Sequence, residues 1–450
     1  MLRSPGNPGG VRFRVIAPPC LFFVSGMCAL MDEVLWARAV GTLLGASYQV
    51  QALVLGVFFT AIPIGAAVGT RWVRQHAPRR LWLCYGACEG ATAVAVLAPV
   101  ALASGGFGSG RTDTTAAYLV LALLALPGAC VGATWPLMAA LARRRASGLG
   151  WLYAVNTFGG ALGALLASLL LLERLGTSGA LLISAGLSAL AALVGTFASL
   201  REPQHRSATT PLEPAASATS TSEPRETAEG SAAQTRPRAE SPLRIPLQRG
   251  AREPGLAPDA ARPAWYIGSL VGFLTIAFEV LGVRILALRF VATTQNLAFV
   301  LAVQLTGMAI GACLVPLYLR GGRRALSIAL TFAALGTALP SILASFHEPP
   351  TAASSWALTC FQCIGDAALI LGPGATTLGA VFPLASSLLS LRYPGDYGKI
   401  GLLATVNGAC GMIGALTTNL VIVPTLGISG SFALVALVLG LSAAFTAGRA

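Results

Sequence analysis

Apolar stretches of about twenty residues or more recur along this 450-residue chain, separated by short polar breaks. Each can cross about 30 Å of hydrocarbon as a helix, which satisfies its backbone hydrogen bonds internally. No other feature restricts the fold as strongly, and it predicts an all-α polytopic membrane protein. Composition agrees: 55% of residues are hydrophobic and 10% charged, where soluble domains carry about a quarter charged. The breaks predict twelve helices. Six run over 14–44, 48–71, 80–103, 115–142, 149–172 and 177–200. Six more run over 264–289, 295–319, 324–345, 356–390, 398–422 and 428–448.

The formal net charge of +13 raises the question of nucleic acid. The basic residues, however, stand between apolar spans, and no basic domain with interleaved aromatics exists, so no nucleic-acid partner is expected. Arg71, Arg74, Arg79 and Arg80 follow the second span, and Arg143, Arg144 and Arg145 the fourth. Arg320, Arg323 and Arg324 follow the eighth, and Arg392 and Lys399 the tenth. Loops of the other parity carry little beyond Arg111, Arg174 and Arg289. The positive-inside bias then places both termini in the cytoplasm of an inner-membrane protein. Between the two sets of spans, residues 201–263 hold nine Arg and eight acidic residues amid Pro, Ser, Thr and Ala. Such a segment buries too little apolar area to offset its ordering entropy, so a disordered cytoplasmic linker is expected there. The domains are therefore 1–200, the linker 201–263, and 264–450.

The two sets are copies. Glu33 to Ala66 set against Glu279 to Ala312 without gaps gives 14 identities in 34 positions, including Arg38 with Arg284 and Gln49 with Gln295. Further on, "GATWPL" from Gly132 mirrors "GAVFPL" from Gly379, and "WLYAVNTFGGALGA" mirrors "LLATVNGACGMIGA". The second match pairs Asn156 with Asn407, Gly160 with Gly411 and Gly163 with Gly414. Six spans is an even number, so the copies share one topology. They are parallel repeats about an axis along the membrane normal, the arrangement of the two halves of major-facilitator transporters.

Charges inside the spans cost several kcal/mol unless paired or hydrated. Glu33 and Arg38 are five residues apart, about 140° round a helix, so they do not pair with each other. Glu89 on the third span is the expected partner of Arg38, and Asp366 a candidate partner of Arg284. Glu33 and Glu279, on the first helix of each half, face one another across a central cavity in the functional reading and bind a cation or a coupling proton. In the structural reading each clamps the bundle or caps a helix. Asn156 and Asn407 stand among small residues. Gly160 with Ala164 and Gly411 with Ala415 make faces that let helices approach, so interhelical hydrogen bonds are expected of both asparagines. Gln49 and Gln295 fall at helix ends, and Pro136 and Pro383 inside spans, where kinks are expected.

Nine scattered cysteines, with Cys84 and Cys88 one turn apart and Cys360 and Cys363 as a CxxC, have no histidine beside them. Small core residues are the expectation, with no metal site and no cofactor. The glycine-rich "GGFGSG" from Gly105 follows no strand, and no hydrolase or nucleotide-binding motif appears.

Four stretches in order resemble the membrane part of the fused major-facilitator/spermidine-synthase proteins. They are "EVLWARAVGTLLGAS", "PRRLWLCYGACEGATAV", "GATWPL" and "LGWLYAVNTFGGALGALLASLLLLERLGTSGALL". The resemblance matches the family's first-helix motif to Glu33, Val34, Trp36 and Arg38, with one extra spacing residue. It matches a third-helix acid to Glu89 and a fifth-helix motif to Tyr153, Ala154 and Asn156. Family members commonly continue into a soluble aminopropyltransferase-like domain that these residues do not contain, so no enzyme activity is carried over. The expected function is a secondary transporter of a small solute, working from a midplane site with Arg38, Glu89 and Arg284 as supporting ion pairs. Intramembrane carboxylates suit an organic cation, and the resemblance suggests a polyamine. The alternative is a non-transporting scaffold holding a separately encoded soluble enzyme at the cytoplasmic face. A wet cavity at Glu33 and Glu279 favours transport, and a dry, paired interior counts against it.

Overall fold

A computed structural model describes residues 8–44, 48–104, 114–142, 146–202, 261–290, 294–346 and 355–449. The linker expected over 201–263 lies almost wholly outside these residues, as do the "GGFGSG" stretch and Arg143 to Arg145. The Gln49 side chain lies outside them too. Among the described residues there is helix and no strand, as the apolar spans predict.

The first half comprises α1 (Pro8–Leu44), α2 (Tyr48–Gln75), α3 (Pro78–Ala95), α4 (Ala98–Ser104), α5 (Thr114–Ala142), α6 (Ala146–Leu166) and α7 (Leu172–Arg201). The second comprises α8 (Ala261–Arg289), α9 (Thr294–Cys313), α10 (Val315–Leu319), α11 (Ala325–Phe346), α12 (Trp356–Arg392), α13 (Tyr397–Thr417) and α14 (Val423–Ala447). Proline opens α1 and α3 in the first turn, where its missing N–H leaves nothing unsatisfied. Both α5 and α12 continue through Pro136 and Pro383 without a break.

Among the described residues, ten continuous helical runs are long and apolar enough to cross a membrane. Two of them, Gly148–Arg201 with 54 residues and Tyr397–Ala447 with 51, far exceed the roughly 20 that one crossing needs. Each contains a glycine that reverses the chain. Gly176 has φ 66° and ψ −178°, and Gly427 has φ 68° and ψ 178°, a conformation open essentially only to glycine. The two occupy the same place in "LGTSG" and "LGISG". A π-helical turn precedes each, at Ala167–Leu171 and Thr418–Ile422. Splitting the two runs at these glycines gives the twelve crossings expected from the sequence.

Within each half the first helix crosses the fifth span at very short range. Gly26 on α1 has no room for a Cβ because the Asn156 carbonyl of α6 lies against it. Gly272 on α8 meets the Asn407 carbonyl of α13 in the same way. Backbone contact in α6 runs through Gly159 and Gly163, against the carbonyls of Phe23 and Met27. The expected face of Gly160 and Ala164 is thus displaced by one residue, and Gly160 meets the Leu30 and Leu305 side chains instead. A helix period fixes a face only to within about 100°, and the crossing angle selects which glycine touches backbone.

The halves join along two helix pairs, α2 with α13 and α6 with α9. At the end bearing the basic turns this seam is tight. Arg74 Nη2 donates to the Gly398 carbonyl at 3.4 Å, Gly401 packs on Thr70, and Gly150 packs on the Ala312 carbonyl and Val315.

Candidate functional site

Asp32 and Glu33 are consecutive on α1 and so point about 100° apart. Glu33 turns toward the seam and comes within electrostatic range of Glu279 on α8. The two residues are 3% and 9% exposed. Glu33 Oε1 has no hydrogen-bond partner, and neither residue forms an ion pair among the described residues. Glu279 lies close enough to act electrostatically on Tyr153 of α6, which is itself held against Thr157. The repeat-related carboxylates are both enclosed, within electrostatic range of one another, where the functional reading asked for a wet cavity. A groove of about 600 Å³ opens elsewhere, at the basic end, between Arg74, His76 and Pro78 on one side and Asp396, Tyr397 and Gly398 on the other.

The expected ion pairs do not form as drawn. Arg38 is exposed, and Glu89 accepts instead from the Ser25 hydroxyl within the first half. The pair does not form because Glu89 is buried against Ser25 while the Arg38 side chain is exposed. Arg284 bonds Asn419 rather than Asp366, with Nε and Nη2 donating to Oδ1 at 3.2 and 2.8 Å. Asp366 pairs with Arg289 at 3.2 Å, one and a half turns further along α8 than Arg284. Asn407 makes the interhelical bond its neighbourhood implied, Nδ2 donating to the Gly268 carbonyl at 2.6 Å. Asn156 meets its helix partner through its backbone carbonyl and amide oxygen at Gly26. Gln295 stands in the first turn of α9.

Other residues escaped the sequence reading. Trp135 and Phe382, equivalent positions of the two repeats, meet across the seam with ring centroids 5.8 Å apart. Tyr153 completes the cluster at 5.7 Å from each. The recurrence of an aromatic residue just before the proline in "GATWPL" and "GAVFPL" was the available signal. Gln304 on α9 is buried with both amide atoms unpartnered. Asp32 on α1 was visible as a charge but carried no assigned partner; its carboxylate accepts from Ser184 Oγ at 2.5 Å. The nine cysteines are free thiols, and no group of three or more metal-ligating side chains is arranged for an ion among the described residues.

Two buried carboxylates at a seam between duplicated halves are an arrangement that can exchange a proton or a cation when the seam opens. The chain is similar to a bacterial homologue of the iron transporter ferroportin in an outward-facing state, with a TM-score of 0.59 and 12% identity over 96% of this chain and 100% of that one. It is also similar to the E. coli fucose:proton symporter, at 0.54 and 14% over 97% and 99%. The proton:xylose symporter XylE gives 0.56 and 15% over 97% and 96%. At these identities the likeness is one of fold. No curated protein sequence matches the chain. The sequence profile of the Major Facilitator Superfamily matches residues 21–416, most of the chain, and the protein belongs to that superfamily.

Proposed function

We propose that this protein is a secondary transporter of a small solute that works by alternating movement of its two six-helix halves. Glu33 and Glu279 bind the cation or coupling proton. One observation supports the reading: the same carboxylate on the first helix of each half is buried, within electrostatic range of its copy and without a cationic partner among the described residues. A duplicated clamp would bring its own counter-charge. A pair lacking one binds a positive species to remain in hydrocarbon. The seam is closed at the basic end by Trp135, Phe382 and Tyr153, which is how one gate of an alternating carrier closes.

An organic cation suits a pair of carboxylates, and the resemblance to the fused major-facilitator/spermidine-synthase proteins makes a polyamine the first compound to try. The basic turns support an inner-membrane orientation with both termini and the 201–263 linker in the cytoplasm. Purified protein in proteoliposomes, given labelled polyamines, amino acids and sugars with and without a pH gradient, tests the proposal beside Glu33→Gln and Glu279→Gln. Gradient-dependent uptake of one class, lost in either variant, is expected. Absence of uptake from well-folded protein across the panel overturns it and leaves a scaffold for a soluble enzyme as the better reading.

A further inference from the structure

The interior of the first half holds a second pair of carboxylates that the seam site does not use. Asp32 on α1 and Glu89 on α3 are 1% and 4% exposed, and near enough to repel each other when both are ionised. Among the described residues, the polar groups around them are hydroxyls and thiols. Ser25 donates to Glu89 and contacts the Tyr85 hydroxyl at 2.9 Å. Ser184 of α7 donates to Asp32 Oδ1. The titratable groups facing the pair are Cys28 from α1, Tyr85 and Cys88 from α3, and Cys130 from α5. No arginine or lysine among the described residues acts on either carboxylate. Two buried polar atoms are left over inside the cluster: Asp32 Oδ2, and the hydroxyl of the fully buried Ser188, which is aimed at Cys28.

The second half shows that none of this is needed to fold such a bundle. The positions equivalent to Asp32, Ser184 and Ser188 are Phe278, Val435 and Leu439, and Leu335 stands near the equivalent of Glu89. Phe278 packs edge-on against Phe432 at 5.5 Å in a dry core. An apolar solution to the same packing exists in the same chain, yet the first half carries two carboxylates, three serines and a tyrosine there.

We infer that Asp32 and Glu89, framed by Ser25, Ser184 and Ser188, form a second proton-binding site enclosed within the first half and separate from Glu33 and Glu279. Two negative charges do not persist in that enclosure without a compensating positive one, and each carboxylate accepts a hydrogen bond from a serine hydroxyl. A proton fits between these groups. A metal ion would need a wider oxygen shell, and no metal-binding group of three or more residues is arranged among the described residues. The site stands whether or not the seam pair binds solute, because it lies wholly inside one half.

Infrared spectroscopy of the full-length purified protein at neutral pH, with hydrogen–deuterium exchange to mark carboxylic-acid carbonyl bands, tests it. The wild type is expected to show at least one buried protonated carboxyl band that Asp32→Asn or Glu89→Gln removes. The same band is expected to persist in the Glu33→Gln/Glu279→Gln double variant, which separates this site from the seam. Ser184→Ala and Ser188→Ala, which keep both acids, are expected to shift the band in frequency and serve if the acid variants fail to fold. A spectrum with only ionised carboxylates at these positions overturns the inference. So does a rise in melting temperature with sodium over choline that Asp32→Asn abolishes, since that would make the occupant a metal cation.

Discussion

The two halves of this protein share a topology, a chain-reversing glycine and a helix crossing, but their interiors follow opposite rules. At the level of Asp32 the first half is polar, with acids and hydroxyls enclosed among α1, α3 and α7. At the equivalent level the second half is closed by Phe278 and Phe432. The difference shows which features the bundle requires and which it merely tolerates. The shared glycines, Gly26 with Gly272 and Gly176 with Gly427, serve the fold. The polar cluster of the first half has no counterpart in the second, so the bundle does not require it.

The largest test of that division transplants polarity the wrong way. Phe278→Asp removes an aromatic from a packed core and buries an unpartnered acid, and is expected to destabilise by about 3–5 kcal/mol or more. Thermal unfolding in detergent, followed by size-exclusion, measures it; wild-type stability would show that the second half tolerates the first half's chemistry. Next come the shared crossings. Gly26→Val and Gly272→Val each force a side chain onto a facing carbonyl and are expected to cost about 1–3 kcal/mol, similarly in both halves. A large effect in one copy only would break the assignment of these glycines to the common fold.

The repeated arginines give a sharper contrast. Arg284→Ala strips two bonds from Asn419 and is expected to cost about 1–3 kcal/mol, whereas Arg38→Ala, at an exposed position, should fall within about 0.5 kcal/mol of wild type. Melting curves of the two variants side by side decide it. Among the variants that remove a bond, the smallest effect is expected from Asn407→Ala, which takes away one interhelical bond worth about 0.6 kcal/mol.

The arginines also show why the candidate site was only partly legible. Glu33-Val34-Leu35 and Arg38 are copied as Glu279-Val280-Leu281 and Arg284, so identical roles were the natural expectation. The partner lies on another element, and there the copies diverge. Asn419 faces Arg284, while its equivalent in the first half is Ser168, whose single buried hydroxyl is unpartnered and too short to serve as the same acceptor. Arg289 likewise took Asp366 because it sits further along α8, a register that spacing on one helix does not reveal. The burial of Glu33 and Glu279 at equivalent places was legible because the repeat relates those two positions directly.

The sequence by itself determined the membrane-spanning character, the six-plus-six duplication and the bias of basic turns to one end. These follow from the length of apolar runs and from one-dimensional self-similarity, which need no knowledge of neighbours. Only the tertiary structure decided that the seam carboxylates are enclosed with no cationic side chain paired to them among the described residues, that Trp135 meets Phe382, and that Asp32 shares an interior with Glu89. Helical periodicity fixes the direction of a side chain about its own axis. What stands opposite is set by crossing angle and depth, and these emerge only when twelve spans pack together.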